Sequence, residues 1–248
     1  MPSSPRVLAR MDERIATLGH DLSRFVSVFQ RAERFSGPSL YFQRRAIEQC
    51  RALGSPAAAI RTDGYLELLY ATLTAWGMHR MGPGNTKLRD FDDFKASLLT
   101  QVDAINALRS VSLHDVSASE IGQLTARLWP LLSALEVSVA EATIVANSKT
   151  LHHLLPNLVP PIDRTYTYDF FYSRMNLSVS EEDAFSEIFQ RFHLLAVQCK
   201  GMLPGLLDDG WNSSTTKVLD NAIVGYAIAM KPGSEPSDRE RKGNRSPS

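Results

Sequence analysis

Five ionisable side chains crowd the first twenty residues of one short stretch, VANSKTLHHLLPNLVPPIDRTYTYDFF, residues 145–171. Lys149 offers an amine that becomes a nucleophile when its proton is removed. His152 and His153 offer imidazoles, the side chains best matched to proton transfer near neutral pH. Asp163 offers a carboxylate able to hold a developing positive charge, and Arg164 a guanidinium suited to phosphate. Each group also has an ordinary use. Asp163 is a strong N-cap for the segment after it. The histidines fit a helix boundary, and Lys149 fits a solvated face. Catalysis or binding is therefore one expectation for this stretch, and a scaffold corner is the other.

The elements that would hold these groups can be read from the pattern. A helix is expected to start at Ser138, capped with Glu141 at the third position, and to run through VAEATIVANSKTLHHLL to Pro156. On it Val145, Leu151 and Leu155 fall on the core side, while Asn147, Ser148, Lys149, His152 and His153 fall on polar or boundary positions. Pro160-Pro161 then imposes extended chain, and Asp163 starts the next helix in RTYTYDFFYSR. The result is a rigid helix–corner–helix. The aromatic run Tyr166, Tyr168, Phe170, Phe171 and Tyr172 is too dense for one face, so part of it must enter the core rather than form a stacking platform.

The same 145–171 segment resembles the signature of a group of helical proteins of unknown function, in which an asparagine-serine-lysine helix runs into a proline-x-aspartate corner. That corner is in turn similar to one piece of the helix-hairpin-helix DNA glycosylase superfamily. The resemblance implies an all-helical fold, Asp163 as the carboxylate assisting departure of a damaged base, and Lys149 as an amine forming a Schiff base with the sugar. His152, His153 and Arg164 would line the pocket. The glycine-containing hairpin that precedes the lysine helix in that superfamily has no counterpart in PLLSALEVSVAE, and LPGL at 203–206 comes after the corner.

The rest of the chain reads as helix. Period-2 alternation is hard to find, whereas 3.6-residue stripes recur, as in Phe185, Ile188, Phe189, Phe192 and Ala196, or Val218, Ala222, Tyr226 and Met230. A long amphipathic region begins after Pro5 with a break expected near Gly19. SLYFQRRAIEQCRALG should be a helix stopping on Gly54, and DGYLELLYATLTAWGMHRMG a central buried helix. GPGN at 82–85 is a turn, and Ser117 with Glu120 and Ser180 with Asp183 are two further capping boxes. The expected architecture is one all-α domain over residues 1–231 with a disordered tail over 232–248, where no apolar residue anchors the chain.

Composition narrows the function. Basic and acidic residues balance at 27 each, so no long-range field draws the chain to nucleic acid. A local basic face on the helix carrying Arg44, Arg45 and Arg51 could still touch phosphates. Cys50 and Cys199 are the only cysteines and stand alone, which fits two core residues in a reducing compartment. No metal-ligand spacing and no cofactor motif occurs, and no metal or cofactor is expected. With no signal-peptide pattern and no apolar run of spanning length, a cytoplasmic protein without membrane contact is expected.

Trp76, His79 and Arg80 close a helix end, where cations suit the dipole. Lys217 and Asp220, one turn apart, read as a solvated pair, with Asp220 and Asn221 as candidates for a pocket shared with the corner. The leading expectation is a nucleic-acid-related role. Two others stand beside it: a noncatalytic helical module that binds another protein, and a small-molecule enzyme using the histidines as general bases.

Overall fold

The computed structural model describes residues 2–32, 37–78, 88–139 and 143–230. Among them are thirteen α-helices and no strand. They are α1 (Pro5–His20), α2 (Leu22–Arg31), α3 (Pro38–Ala52), α4 (Pro56–Ile60), α5 (Asp63–Leu73), α6 (Phe91–Thr100), α7 (Val102–Asn106), α8 (Ile121–Ser133), α9 (Thr143–Leu154), α10 (Asp169–Tyr172), α11 (Glu181–Gln198), α12 (Leu203–Leu206) and α13 (Thr215–Ala229). The all-α expectation is borne out. Buried side chains from Met11 on α1 to Ile223 on α13 form one continuous apolar cluster. No described helix is long and apolar enough to cross a membrane. The GPGN turn, His79, Arg80 and the 232–248 tail lie outside the described residues.

α13 is the axis of the fold. Every residue from Thr215 to Gly225 is buried, including five with polar side chains: Thr215, Thr216, Lys217, Asp220 and Asn221. Its main partner is α2, and Gly225 sets their separation. A Cβ there would lie 1.9 Å from the Phe25 carbonyl oxygen, so only glycine lets the two backbones approach this closely. α5 is buried along Tyr65, Leu66, Leu69 and Leu73 but stops earlier than its apolar pattern suggested. A kinked turn, Thr74–Met78, follows it, with non-helical backbone at Trp76 and at Gly77, which takes φ 83°.

Local signals explain most boundaries. The break in the N-terminal region falls at Asp21 rather than Gly19. Ser180 caps α11 as expected, its hydroxyl accepting from Asp183 N at 3.1 Å. Ser117 and Glu120 bond each other, but the regular helix begins one residue past them, at Ile121. The capping box expected at Ser138 involves Glu141, which lies outside the described residues. Ser138 pairs in an isolated antiparallel bridge with Leu88, and Arg89 N donates to Val137 O at 3.1 Å. α9 is described from Thr143 onward.

Candidate functional site

α9 has no wet side over most of its length. Asn147, Ser148, His152 and His153, read from sequence as polar or boundary positions, are all buried. α3, α5, α8 and α11 surround the helix, and its polar side chains satisfy backbone groups that the neighbouring corner leaves unpaired. Asn147 Nδ2 donates to Leu132 O and Leu135 O at 2.8 and 2.7 Å, closing the C-terminal end of α8. Ser148 Oγ accepts from Ile162 N at 3.0 Å, which docks the proline corner onto α9. His152 Nδ1 lies 2.9 Å from Val159 O, and Thr216 Oγ1 donates to Pro156 O at 2.7 Å. The corner is thus bonded to both α9 and the first turn of α13.

His153 sits deeper in the same network. Its Nδ1 is 2.7 Å from Lys149 O, and its Nε2 is 2.7 Å from the side-chain amide of Gln43. Burial pushes the His153 proton affinity down to about 4, with the nearby ammonium groups of Lys217 and Lys149 acting in the same direction. His152 is lowered well below the usual histidine range, by burial first and by His153 second. Both rings are therefore neutral at pH 7. One N–H of His153 serves the Lys149 carbonyl, and the amide rotamer of Gln43 that turns its nitrogen to Nε2 completes the bond.

Asp163 does cap the segment after the corner. Its Oδ1 accepts from Tyr166 N at 2.7 Å, and its own N–H donates to Thr167 Oγ1 at 3.2 Å. The segment opens with a π-helical turn, Arg164–Tyr168, before α10, and Ser173 at φ 56° ends it. Tyr168, Phe170, Phe171 and Tyr172 enter the core as the density of the aromatic run required.

Capping is only part of what Asp163 does, because its carboxylate also borders a cleft of about 450 Å³. Lys149 from α9, Trp76 from the turn after α5, Trp211 from the loop before α13, and Lys217 and Asp220 from α13 border the same space. Ser39, Thr165 and Tyr166 complete a polar rim. Trp76 is fixed by Gly77 and by an Nε1–H bond to Ser39 O at 3.4 Å. Trp211 is fixed by a loop wound round Asp208, whose Oδ1 accepts from Gly210 N and Asn212 N at 2.7 and 2.9 Å. The two indoles lie 6.1 Å apart at 38°.

Lys217 Nζ sits between them, 5.2 Å from the Trp76 ring and 5.1 Å from that of Trp211, and donates to Asp220 Oδ2 at 2.5 Å. Lys149 Nζ stands 5.9 Å from the Trp76 ring. Cations over indole faces are favourable, the more so when partly desolvated. Burial raises the proton affinity of Asp220, Lys217 opposes that rise, and the charge of Asp163 adds to it. The cleft therefore holds two ammonium groups and two carboxyl groups against aromatic walls.

The sequence expectation of a solvated Lys217–Asp220 pair is corrected: their side chains are 8% and 6% exposed. A signal was present, since KVLDNAIVGY has no second polar stripe and a helix without one has no solvent side. Trp211 carried no sequence signal, because a loop between two glycine-and-serine-rich pieces does not say where it folds. Of the expected site residues, the structure brings Asp163 and Lys149 together. His152 and His153 lie behind Trp76, with ring centroids 6.3 and 4.9 Å from it, and do not border the cleft. Arg164 is exposed and does not border it either.

Arg44 and Arg51 border a second hollow of about 260 Å³, together with Glu48, Asp208 and Asp209. Arg45 and Arg44 approach Glu48 at 3.2 and 4.0 Å. The basic face of α3 is thus partly neutralised by its own acids and those of the loop. Among the described residues no group of three or more histidines, cysteines and acids is placed to hold a metal ion. Compared with known protein families, curated proteins and solved structures, the chain matches none.

Proposed function

We propose that the chain acts on nucleic acid, taking one base-sized ring into the Trp76–Trp211 cleft and cleaving the bond between that base and its sugar. The observation that carries this reading is the meeting of Lys149 and Asp163, from two different elements, in one aromatic-walled cleft. An indole face stacks on any nucleobase, worth about 1–3 kcal/mol per base. Asp163 has a single hydrogen bond to its carboxylate among the described residues, at Oδ1. Its charge is thereby available to a sugar that becomes cationic as the base departs. Lys149 is the less buried of the two amines that border the cleft, and is the group that would attack the sugar.

Arg44, Arg45 and Arg51 supply the phosphate contacts of this reading. The ion pairs of Arg44 and Arg45 with Glu48 are exposed and worth less than about 1 kcal/mol, so a phosphate can displace them. The balanced net charge makes binding weak and strongly dependent on salt. The test is borohydride trapping on a duplex containing an abasic site at low salt. A covalent adduct in the wild type that is lost in K149A is the expected outcome. Binding without an adduct removes the lysine step and leaves hydrolysis supported by Asp163. Absence of both binding and adduct overturns the proposal in favour of a protein-binding module.

A further inference from the structure

The Lys217–Asp220 pair plays no part in the base-removal chemistry above, yet both residues border the cleft. Only one Asp220 oxygen is used. Oδ2 accepts from Lys217 Nζ, and no hydrogen bond reaches Oδ1 among the described residues. Oδ1 is also not one of the sealed, unpartnered polar atoms. It therefore keeps open surface, and the cleft is the space that Asp220 borders. Lys217 spends one N–H on Asp220, has two more, and is held between two indoles that fix where they can point. The wall thus presents a charged donor and a charged acceptor side by side, with flat aromatic surface next to them.

A donor next to an acceptor reads the complementary edge, an acceptor next to a donor, in the plane of a stacked ring. Two such edges exist among heterocycles of this size. One is a lactam, a carbonyl oxygen beside a ring N–H. The other is an aminoazine, a ring nitrogen beside an exocyclic amino group. The lactam suits this wall better. Its oxygen carries more negative charge towards the ammonium, and its N–H is more acidic towards the carboxylate, so both bonds are charge-assisted. Both edges pair with the wall, so the discrimination is set by the greater strength of the two charge-assisted bonds to the lactam.

We infer that the Lys217–Asp220 pair makes the cleft selective for a planar heterocycle with a lactam edge, the edge shown by uracil, hypoxanthine and guanine. The inference rests on the reading that the cleft takes a base-sized ring, and it needs neither a phosphate contact nor catalysis. Trp76 and Trp211 report occupancy directly through their fluorescence. Titration of the wild-type chain with inosine against adenosine, and uridine against cytidine, compares rings that differ chiefly at this edge. Binding at least tenfold tighter for inosine and uridine is expected, and D220N should bring each pair within threefold.

Equal binding within the pairs, tighter binding of adenosine and cytidine, no quenching by any of the four, or an undiminished preference in D220N would each overturn it. The ligand comparison uses the wild-type chain and so does not depend on the variant folding. A chain that prefers inosine and uridine but binds no abasic duplex keeps this selectivity and loses the base-removal reading. A lysine adduct on the duplex with no preference among nucleosides does the reverse.

Discussion

Lowering the pH from 7 to 5 should destabilise this protein through its buried imidazoles, and His153 sets the size of the effect. In the unfolded chain His153 binds a proton at its ordinary value of 6.5, while in the folded chain it does so only at about 4. The unfolded state therefore takes up protons first as pH falls. The stability carried by the neutral ring is fully present above pH 6.5 and is lost as pH falls towards 4. At pH 5 the gap to the unfolded value is about one and a half units, which costs about 2 kcal/mol at 1.36 kcal/mol per unit. For a chain of this size that lowers Tm by roughly 4–8 °C.

His152 acts in the same direction, and Asp220, whose proton affinity is raised, acts in the opposite one. H153Q isolates the ring, because glutamine is polar and does not titrate. Urea denaturation followed by circular dichroism, at fixed ionic strength and at pH 7 and 5, measures both chains. H153Q starts less stable, and its loss between the two pH values should be smaller than that of the wild type by about 2 kcal/mol. Equal losses in the two chains would refute a buried neutral His153.

The close approach of α2 and α13 gives a prediction that is independent of chemistry. In G225A the new methyl would meet the Phe25 carbonyl, and the helices must separate at a cost of about 1–3 kcal/mol. A fall in Tm of several degrees is expected in thermal denaturation, and a change under 1 °C would show that the interface yields freely. Asp163 separates capping from chemistry. D163A should lose about 0.5–2 kcal/mol in denaturant titrations. D163N, a comparable cap, should keep its Tm but lose base release from a duplex, and a D163N chain that retains that release would remove the carboxylate from the mechanism.

How far the sequence carries is best judged residue by residue. The stripes on α11 and α13, the cap at Ser180, the cap at Asp163 and the stiffness of Pro160-Pro161 depend on neighbours within a turn or two. Spacing alone reveals them. The bridge between Ser138 and Leu88 joins distant segments, and no spacing within a turn or two announces it. His152 and His153 looked like site residues because ionisable groups at a helix end are usually wet. Here four helices enclose α9, and behind Trp76 His152 bonds the corner while His153 bonds Lys149 O and Gln43.

What the sequence determined by itself was the all-helical class, the rigid corner, and Asp163 with Lys149 as the groups to watch. Only the tertiary structure decided that the aromatic and ionic partners of that pair are Trp76, Trp211, Lys217 and Asp220. The reason is physical. Helical periodicity says which face of a helix is covered, whereas the covering surface comes from contacts between residues far apart in the chain. Here those contacts are set by a glycine at the α2–α13 crossing, a left-handed turn at Gly77 and the Asp208 loop that holds Trp211.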